Sequence, residues 1–276
     1  MIKKSIICFF IIAFCYSLLI AFLPNKGIGT HQWQDNQIRA QRFLYEKSSD
    51  TVIVGTSLSA RILLDSLKNV SSCAFSACVV EDGLRLILSK DMIPHYVLLE
   101  TNYILRPSNE ELVKVNSKGP LPLLRNYIPI LREQNAPICL MGRRLMMGAL
   151  APADTVDMDR LYKSIKKRIL EDYTHFLTEK QLNERIQTVM SLISKLEKRG
   201  AKIVLFEMPL NESLWHVNSN EQTRQAVMRM FPVDKYIYLP NDTSTYLTND
   251  GEHLDAEGQR RYTRFFRAAL ASTPLQ

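Results

Sequence analysis

The chain is poor in the features that mark metal and nucleic-acid chemistry. Its 276 residues hold five cysteines and five histidines. No cysteine–histidine cluster among them has metal-ligand spacing, so neither a metal centre nor another cofactor is expected. The odd cysteine count excludes complete pairing. Cys8 and Cys15 lie in the apolar opening segment, where they read as filler. That leaves Cys73, Cys78 and Cys139, of which Cys73 and Cys78 could pair in an oxidising compartment. There is no internal repeat, no low-complexity tract and no long basic tail. Net charge is +7, but the basic residues are scattered, as at Arg143 and Arg144, Lys163 to Arg168, and Arg260 and Arg261. Without an aromatic-interleaved basic motif or zinc-finger spacing, this excess reads as mild attraction to anionic surfaces, and no nucleic-acid partner is expected. With 46% hydrophobic and 23% charged residues the chain reads as a folded body, long enough for one large domain or a domain with an insertion.

What is present begins at the N-terminus. Lys3 and Lys4 precede a run without charge from Ser5 to Leu23. About twenty apolar residues in a helix match a bilayer core, and lysines ahead of such a run direct the rest of the chain outward. The run exceeds a usual signal-peptide core and lacks an A-x-A cleavage site, so residues 1–25 read as a cytoplasmic stub and membrane anchor; a cleaved signal peptide is the alternative. Phe14, rather than a small residue, precedes Cys15, which argues against a lipoprotein. Residues 26–50 are polar and mixed, and read as a juxtamembrane linker with at most one short helix.

From residue 51 the pattern alternates. TVIVGTS (51–57), SSCAFSA (71–77), HYVLLETN (95–102), AKIVLFEMP (201–209) and a short YIYL (236–239) read as strands. LSARILLDSL (58–67), EDGLRLILSK (81–90), 181–200, 221–231 and 255–272 read as helices. Gly200 is placed as a C-terminal cap and Asp255 as an N-cap. Such alternation argues for an α/β fold with a parallel sheet, and ligands collect at the carboxyl ends of its strands. Residues 51–274 are thus expected to form the main domain. Its irregular stretch at about 103–175, with six prolines and two basic helical segments, reads as an insertion.

Chemistry-bearing residues gather at the predicted strand ends. Ser57 follows strand one, where a hydroxyl can sit above the sheet; an ordinary helix N-cap is the plainer reading. The string GTSLS lacks the second glycine of a G-x-S-x-G elbow. Near the C-terminus, NDGEHLDAEGQRR places Asp250 three residues before His253, ahead of a helix. Serine needs a base to act as a nucleophile near neutral pH, histidine supplies one, and an aspartate can orient the imidazole. A solvated surface histidine is the plainer reading of that motif alone. Glu100 and Glu207 read as structural hydrogen-bond partners. The other histidines, at 31, 95, 175 and 216, have no visible role.

The conjunction of GTS at 55–57, ETN at 100–102 and DGEH at 250–253, in that order, resembles the SGNH (GDSL-like) hydrolase superfamily. VLFEMP (204–209) is similar to the fourth core strand of several such families. The resemblance spans about residues 50–270 on short motifs. It implies a three-layer α/β/α, flavodoxin-like fold, with Ser57 as nucleophile, His253 as base and Asp250 as its partner. It also implies an oxyanion hole from the Ser57 and Ala77 backbone and the Asn102 side chain. The family's second block usually supplies a glycine where this chain has Ser76 and Ala77, and its third block is GxND rather than ETN. The separated acid and histidine of α/β-hydrolases fit less well. With an N-terminal anchor, the chain resembles proteins that modify cell-surface polymers beside a membrane-bound acyltransferase. The expectation is therefore an extracytoplasmic serine enzyme acting on a cell-surface carbohydrate or polymer, as an O-acyltransferase or an esterase. A catalytically inactive glycan-binding or scaffold subunit is the non-enzymatic alternative.

Overall fold

The computed structural model describes residues 2–22, 29–46, 49–140, 167 and 176–274. The chain divides into two compact units. Met1–Glu46 joins Glu111–Ala153 in one, and Lys47–Glu110 joins Asp154–Gln276 in the other.

The second unit is α/β, built on a five-stranded sheet with every neighbouring pair parallel. Its strands are β1 (Thr51–Gly55), β2 (Val70–Ala74), β3 (Tyr96–Glu100), β4 (Lys202–Phe206) and β5 (Ile237–Tyr238). They lie side by side in the order β2-β1-β3-β4-β5. The first four strands bury nearly every residue, as expected of parallel strands covered on both faces. Ile53, Leu98 and Val204 point into one core, with Tyr262 and Phe266 of the C-terminal helix Ala256–Ser272. Val54 points the other way, toward helix α3 (Val80–Leu88), and a side chain at Gly83 would collide with it and with the Cys73 carbonyl. Glu81 of α3 is buried between Arg85 and Arg185, the latter on the helix Glu179–Lys198. Burial pushes its carboxyl up, but the two guanidinium groups outweigh burial and hold it below the usual carboxylate range.

Several local signals act as read. Asp255 accepts a hydrogen bond from Gly258 N–H and caps the last helix. Thr178 and Gln181 form a capping box on Glu179–Lys198, and Gly200 stands just past its end at φ 93°. The 58–67 segment departs from expectation. Instead of an α-helix it forms two 3₁₀ turns, Ser59–Arg61 and Leu64–Ser66. The donors are taken elsewhere: Ser59 N–H goes to the Glu100 carboxylate and Leu63 N–H to Thr263 Oγ1. No helix dipole therefore opens at Ser57.

In the first unit, α1 (Ile2–Phe22) is long and apolar enough to cross a membrane or to serve as a signal sequence. Residues 26–50 do more than link. Helix α2 (Gln32–Tyr45) buries Ile38, Ala40 and Phe43, and its polar residues pair across the unit. Gln41 donates to Asn116 on α4 (Glu111–Ser117) and Gln34 to Glu133. His31 caps α2 by accepting from Gln34 N–H. The expected 103–175 insertion is thereby divided: its first eight residues belong with the sheet, and the stretch from Glu111 packs with α2. Its two basic helical segments lie, but for residue 167, outside the described residues.

Candidate active site

The sheet changes direction between β1 and β3: the chain goes from β1 outward to β2, then back past β1 to β3. Crevices at such reversals, outside the carboxyl ends of the strands, are where open parallel sheets hold ligands. Thr56 to Ser59 leave β1 at that end, and Thr101 and Asn102 leave β3 beside them.

Glu100, the last residue of β3, is fully buried and organises the turn after β1. Its carboxylate accepts from Thr56 N–H at 2.9 Å, Thr56 Oγ1 at 2.6 Å and Ser59 N–H at 3.1 Å. Burial pushes this carboxyl above its ordinary range, and the hydrogen bonds from Ser59 and Thr56 offset only part of that push. A Cβ on Gly55 would overlap both the Glu100 carboxylate and the Ser59 hydroxyl, so glycine at 55 makes room for the clamp. The result is a tight turn whose one outward residue is Ser57.

The histidine arrives from a short loop. Thr248 and Leu254 form an antiparallel bridge, Asn249 N–H donates to the His253 carbonyl, and Gly251 takes φ 100° at the tip. Asp250 Oδ1 accepts from the backbone N–H groups of Glu252 (3.0 Å) and His253 (2.8 Å), an Asx-type turn. Its Oδ2 lies 2.6 Å from His253 Nδ1, and His253 Nε2 lies 2.8 Å from Ser57 Oγ. Burial pushes the Asp250 carboxyl up. Hydrogen bonds from the His253 ring and backbone, with the histidine's charge and Glu252 N–H, outweigh it and hold it at about 2. An ionised Asp250 accepts the Nδ1 proton, which leaves Nε2 free to accept from the serine hydroxyl.

Two further bonds set this loop against its neighbours. Asn211 N–H, after β4, donates to the Gly251 carbonyl. Tyr103 Oη donates to Glu252 Oε1 at 2.5 Å, with the Arg106 guanidinium stacked on the Tyr103 ring at 3.8 Å. Burial, with the neighbouring Glu252 charge, pushes the Tyr103 hydroxyl well above its ordinary value, so it remains a donor.

The structure thus brings Ser57, Asp250 and His253 together. Ala77 stands at φ 54°, in the left-handed region that favours glycine. Neither its N–H nor that of Ser57 takes a partner among the described residues. Asn102 differs from expectation. Its carboxamide is closed on the backbone of Met208, donating to the carbonyl at 2.9 Å and accepting from the N–H at 2.8 Å. This bridge ties the ends of β3 and β4, and it leaves one amide hydrogen for other use. Glu207 is held by Arg224 at 2.7 Å, a structural pairing. Cys73 and Cys78 are not joined in a disulfide, and neither are the other three cysteines. Among the described residues no group of three or more His, Cys, Asp or Glu side chains is arranged to hold a metal ion. Next to Asn211 opens a cavity of about 460 Å³, lined by Trp215, Tyr246, Leu210, Glu212, Asn241 and Asp242 among others.

Glu100 is the structural hydrogen-bond partner the sequence suggests, although its partners in the β1 turn are not legible there, and Tyr103 has no expected role. A signal for the first was available: VLLE ends a buried strand in a carboxylate, and a carboxylate there must find donors. The scan against protein families, the search of curated proteins and the search of solved structures each return no match.

Proposed function

We propose that this chain is a membrane-anchored, extracytoplasmic serine acyl enzyme of the SGNH type. It moves an acyl group, acetyl in the simplest case, to or from a hydroxyl of a cell-surface carbohydrate or polymer. The observation that carries the reading is the continuous relay from Asp250 Oδ2 through His253 to Ser57 Oγ, at 2.6 and 2.8 Å. The strand order β2-β1-β3-β4-β5 supports a flavodoxin-like, three-layer arrangement for the sheet-bearing unit. Lys3 and Lys4 ahead of α1 support an outward-facing enzyme.

Ser57 Oγ attacks the ester carbonyl as His253 Nε2 takes its proton, and Asp250 stabilises the imidazolium that results. The tetrahedral oxyanion is met by the N–H groups of Ser57 and Ala77, with the remaining Asn102 amide hydrogen as a third donor. His253 returns the proton to the departing alkoxide, and the acyl-serine remains. An incoming hydroxyl then gives its proton to His253, attacks the acyl carbon and releases Ser57. A sugar hydroxyl as acceptor makes a transferase, and water makes an esterase. The mixed aromatic and polar lining of the cavity beside Asn211 suits a sugar. A membrane-bound acyltransferase is the donor such a tethered enzyme would use, since tethering raises its local concentration.

The test is fluorophosphonate labelling and p-nitrophenyl acetate turnover by the full chain in detergent. Parent protein labels at Ser57, while Ser57→Ala and His253→Ala each lose about 10³-fold or more in turnover with folding intact. Equal background rates in all three, with no label on Ser57, sink the reading in favour of a binding or scaffold role. Adding soluble carbohydrate to the acetyl-enzyme formed from p-nitrophenyl acetate then separates transfer from release to water.

A further inference from the structure

The first unit carries an apolar surface that the proposed chemistry does not use. Residues 119–131, GPLPLLRNYIPIL, form helix α5 (Pro120–Tyr127) and the 3₁₀ turn Pro129–Leu131. Leu121, Leu123, Leu124, Tyr127, Ile128 and Leu131 are all exposed, Leu123 at 69% and Tyr127 at 81%. The stretch holds one charged residue, Arg125, and that residue is turned inward. It is 5% exposed, and its guanidinium donates to the carbonyls of Leu131 and Val115. A helix in water shows the reverse arrangement, with charge outward and leucine inward. Lys114 and Lys118, one turn before the stretch, are exposed.

The position of this surface says what covers it. The 3₁₀ turn packs against α1, and Tyr16 Oη of α1 donates to the Asn135 carbonyl at 2.6 Å. Tyr16 lies about 9 Å short of the Phe22 end at 1.5 Å per residue, and the whole of α1 is about 31 Å long, the thickness of a hydrocarbon core. The Asn135 carbonyl therefore lies about 9 Å inside the Phe22 end of α1, in the outer part of a bilayer core that α1 would span, a depth to which in-plane helices bury their apolar face. The side chains of α1 are themselves mostly exposed, and the leucine-rich stretch adjoins α1 through its 3₁₀ turn.

We infer that 119–131 is an in-plane membrane element: its leucines and isoleucines enter the outer leaflet, Tyr127 sits at the headgroup level, and Lys114 and Lys118 face the phosphates. Its occupant is lipid. This rests on the reading of α1 as a membrane anchor. The inward Arg125 has the matching role, since it satisfies carbonyls that hydrocarbon cannot.

The test uses the full chain in vesicles whose lipids carry bromine at known acyl depths. Each variant adds one tryptophan, and its emission is read over the parent's Trp33 and Trp215. Phe9→Trp reports the anchor, Tyr127→Trp the proposed element, and Met228→Trp an exposed position of the sheet-bearing unit. The expected result is deep quenching of Phe9→Trp, loss of more than half of the Tyr127→Trp emission to the shallowest bromines, and no quenching of Met228→Trp. Quenched Phe9→Trp with unquenched Tyr127→Trp overturns the inference and leaves the anchor standing. The same pattern with Tyr127 crosslinking to a protein in native membranes also overturns it, and assigns the face to a protein partner. Unquenched Phe9→Trp overturns the anchor and the inference together.

Discussion

Ser57 and His253 meet at 2.8 Å, yet the turn that carries the serine and the loop that carries the histidine are built differently. The serine turn is held by Glu100, more than forty positions away, through three hydrogen bonds made out of contact with water. The histidine loop closes mainly on itself, through bonds from Asp250 to residues two and three positions on. From outside the loop, Tyr103, just after β3, donates to Glu252, and Asn211 N–H, after β4, donates to the Gly251 carbonyl. A buried long-range clamp couples the nucleophile to the integrity of the sheet. A local turn can be altered without unfolding what surrounds it.

That contrast yields three experiments. The largest effect is expected at Asp250, and almost wholly in rate. Asp250→Asn should lower kcat about 10²- to 10⁴-fold by favouring the wrong imidazole tautomer, with the fold intact and only a modest loss of stability near neutral pH. The pH dependence has a definite sign. Because the folded carboxyl is depressed to about 2, its stabilising contribution is fully present above the ordinary value of 3.8 and is lost as pH falls through about 2. The difference in urea midpoint between parent and Asp250→Asn should therefore shrink from pH 6 towards pH 2.5, and a constant difference would remove the ion pair from the account.

At Glu100, rate and stability should fall together. Glu100→Ala orphans two backbone N–H groups and a hydroxyl in the interior, and should cost about 3 kcal/mol by chemical denaturation along with roughly 10- to 100-fold in kcat. Glu100→Gln keeps an acceptor and should recover much of the stability and part of the rate. A Glu100→Ala protein with parental Tm would break the distinction between clamp and loop. The smallest effect belongs to Tyr103→Phe, which removes one hydroxyl. About 1 kcal/mol of stability and a few-fold loss of kcat are expected, with KM for p-nitrophenyl acetate unchanged. A loss as large as that of Asp250→Asn would mean that the loop depends on its anchor to β3 after all.

The same contrast explains what could be read from the sequence. Asp250 and His253 are three residues apart and form their bond within one turn, so the motif carries its own geometry. Asp255, Gly200 and the apolar runs of β1, β3 and β4 are legible for the same reason, since caps and buried strands are set by neighbours. The 58–67 segment has helical spacing, but its N–H groups are claimed by Glu100 and Thr263, and local propensity carries no record of partners so distant. Asn102 is recognisable as a residue at a strand end, whereas its closure on Met208 depends on the neighbouring strand. Helix α2 reads as part of a linker because Gln34, Asn36 and Gln41 are polar; they are buried, and Gln34 donates to the Glu133 carboxylate while Gln41 pairs with the Asn116 side chain and the Glu133 N–H, all beyond residue 110. Its role in a separate unit follows from those pairings rather than from its composition.

Gly55 and Glu100 occupy one another's space. The carboxylate and the Ser59 hydroxyl fill the volume that a Cβ at position 55 would take, so position 55 cannot gain a side chain while both stay in place. Among descendants of this chain the two should be inherited as a unit. A lineage that exchanges Glu100 for a smaller side chain and turns the Ser59 hydroxyl aside releases position 55 from glycine, and one that admits alanine at 55 must first have found another way to hold its serine.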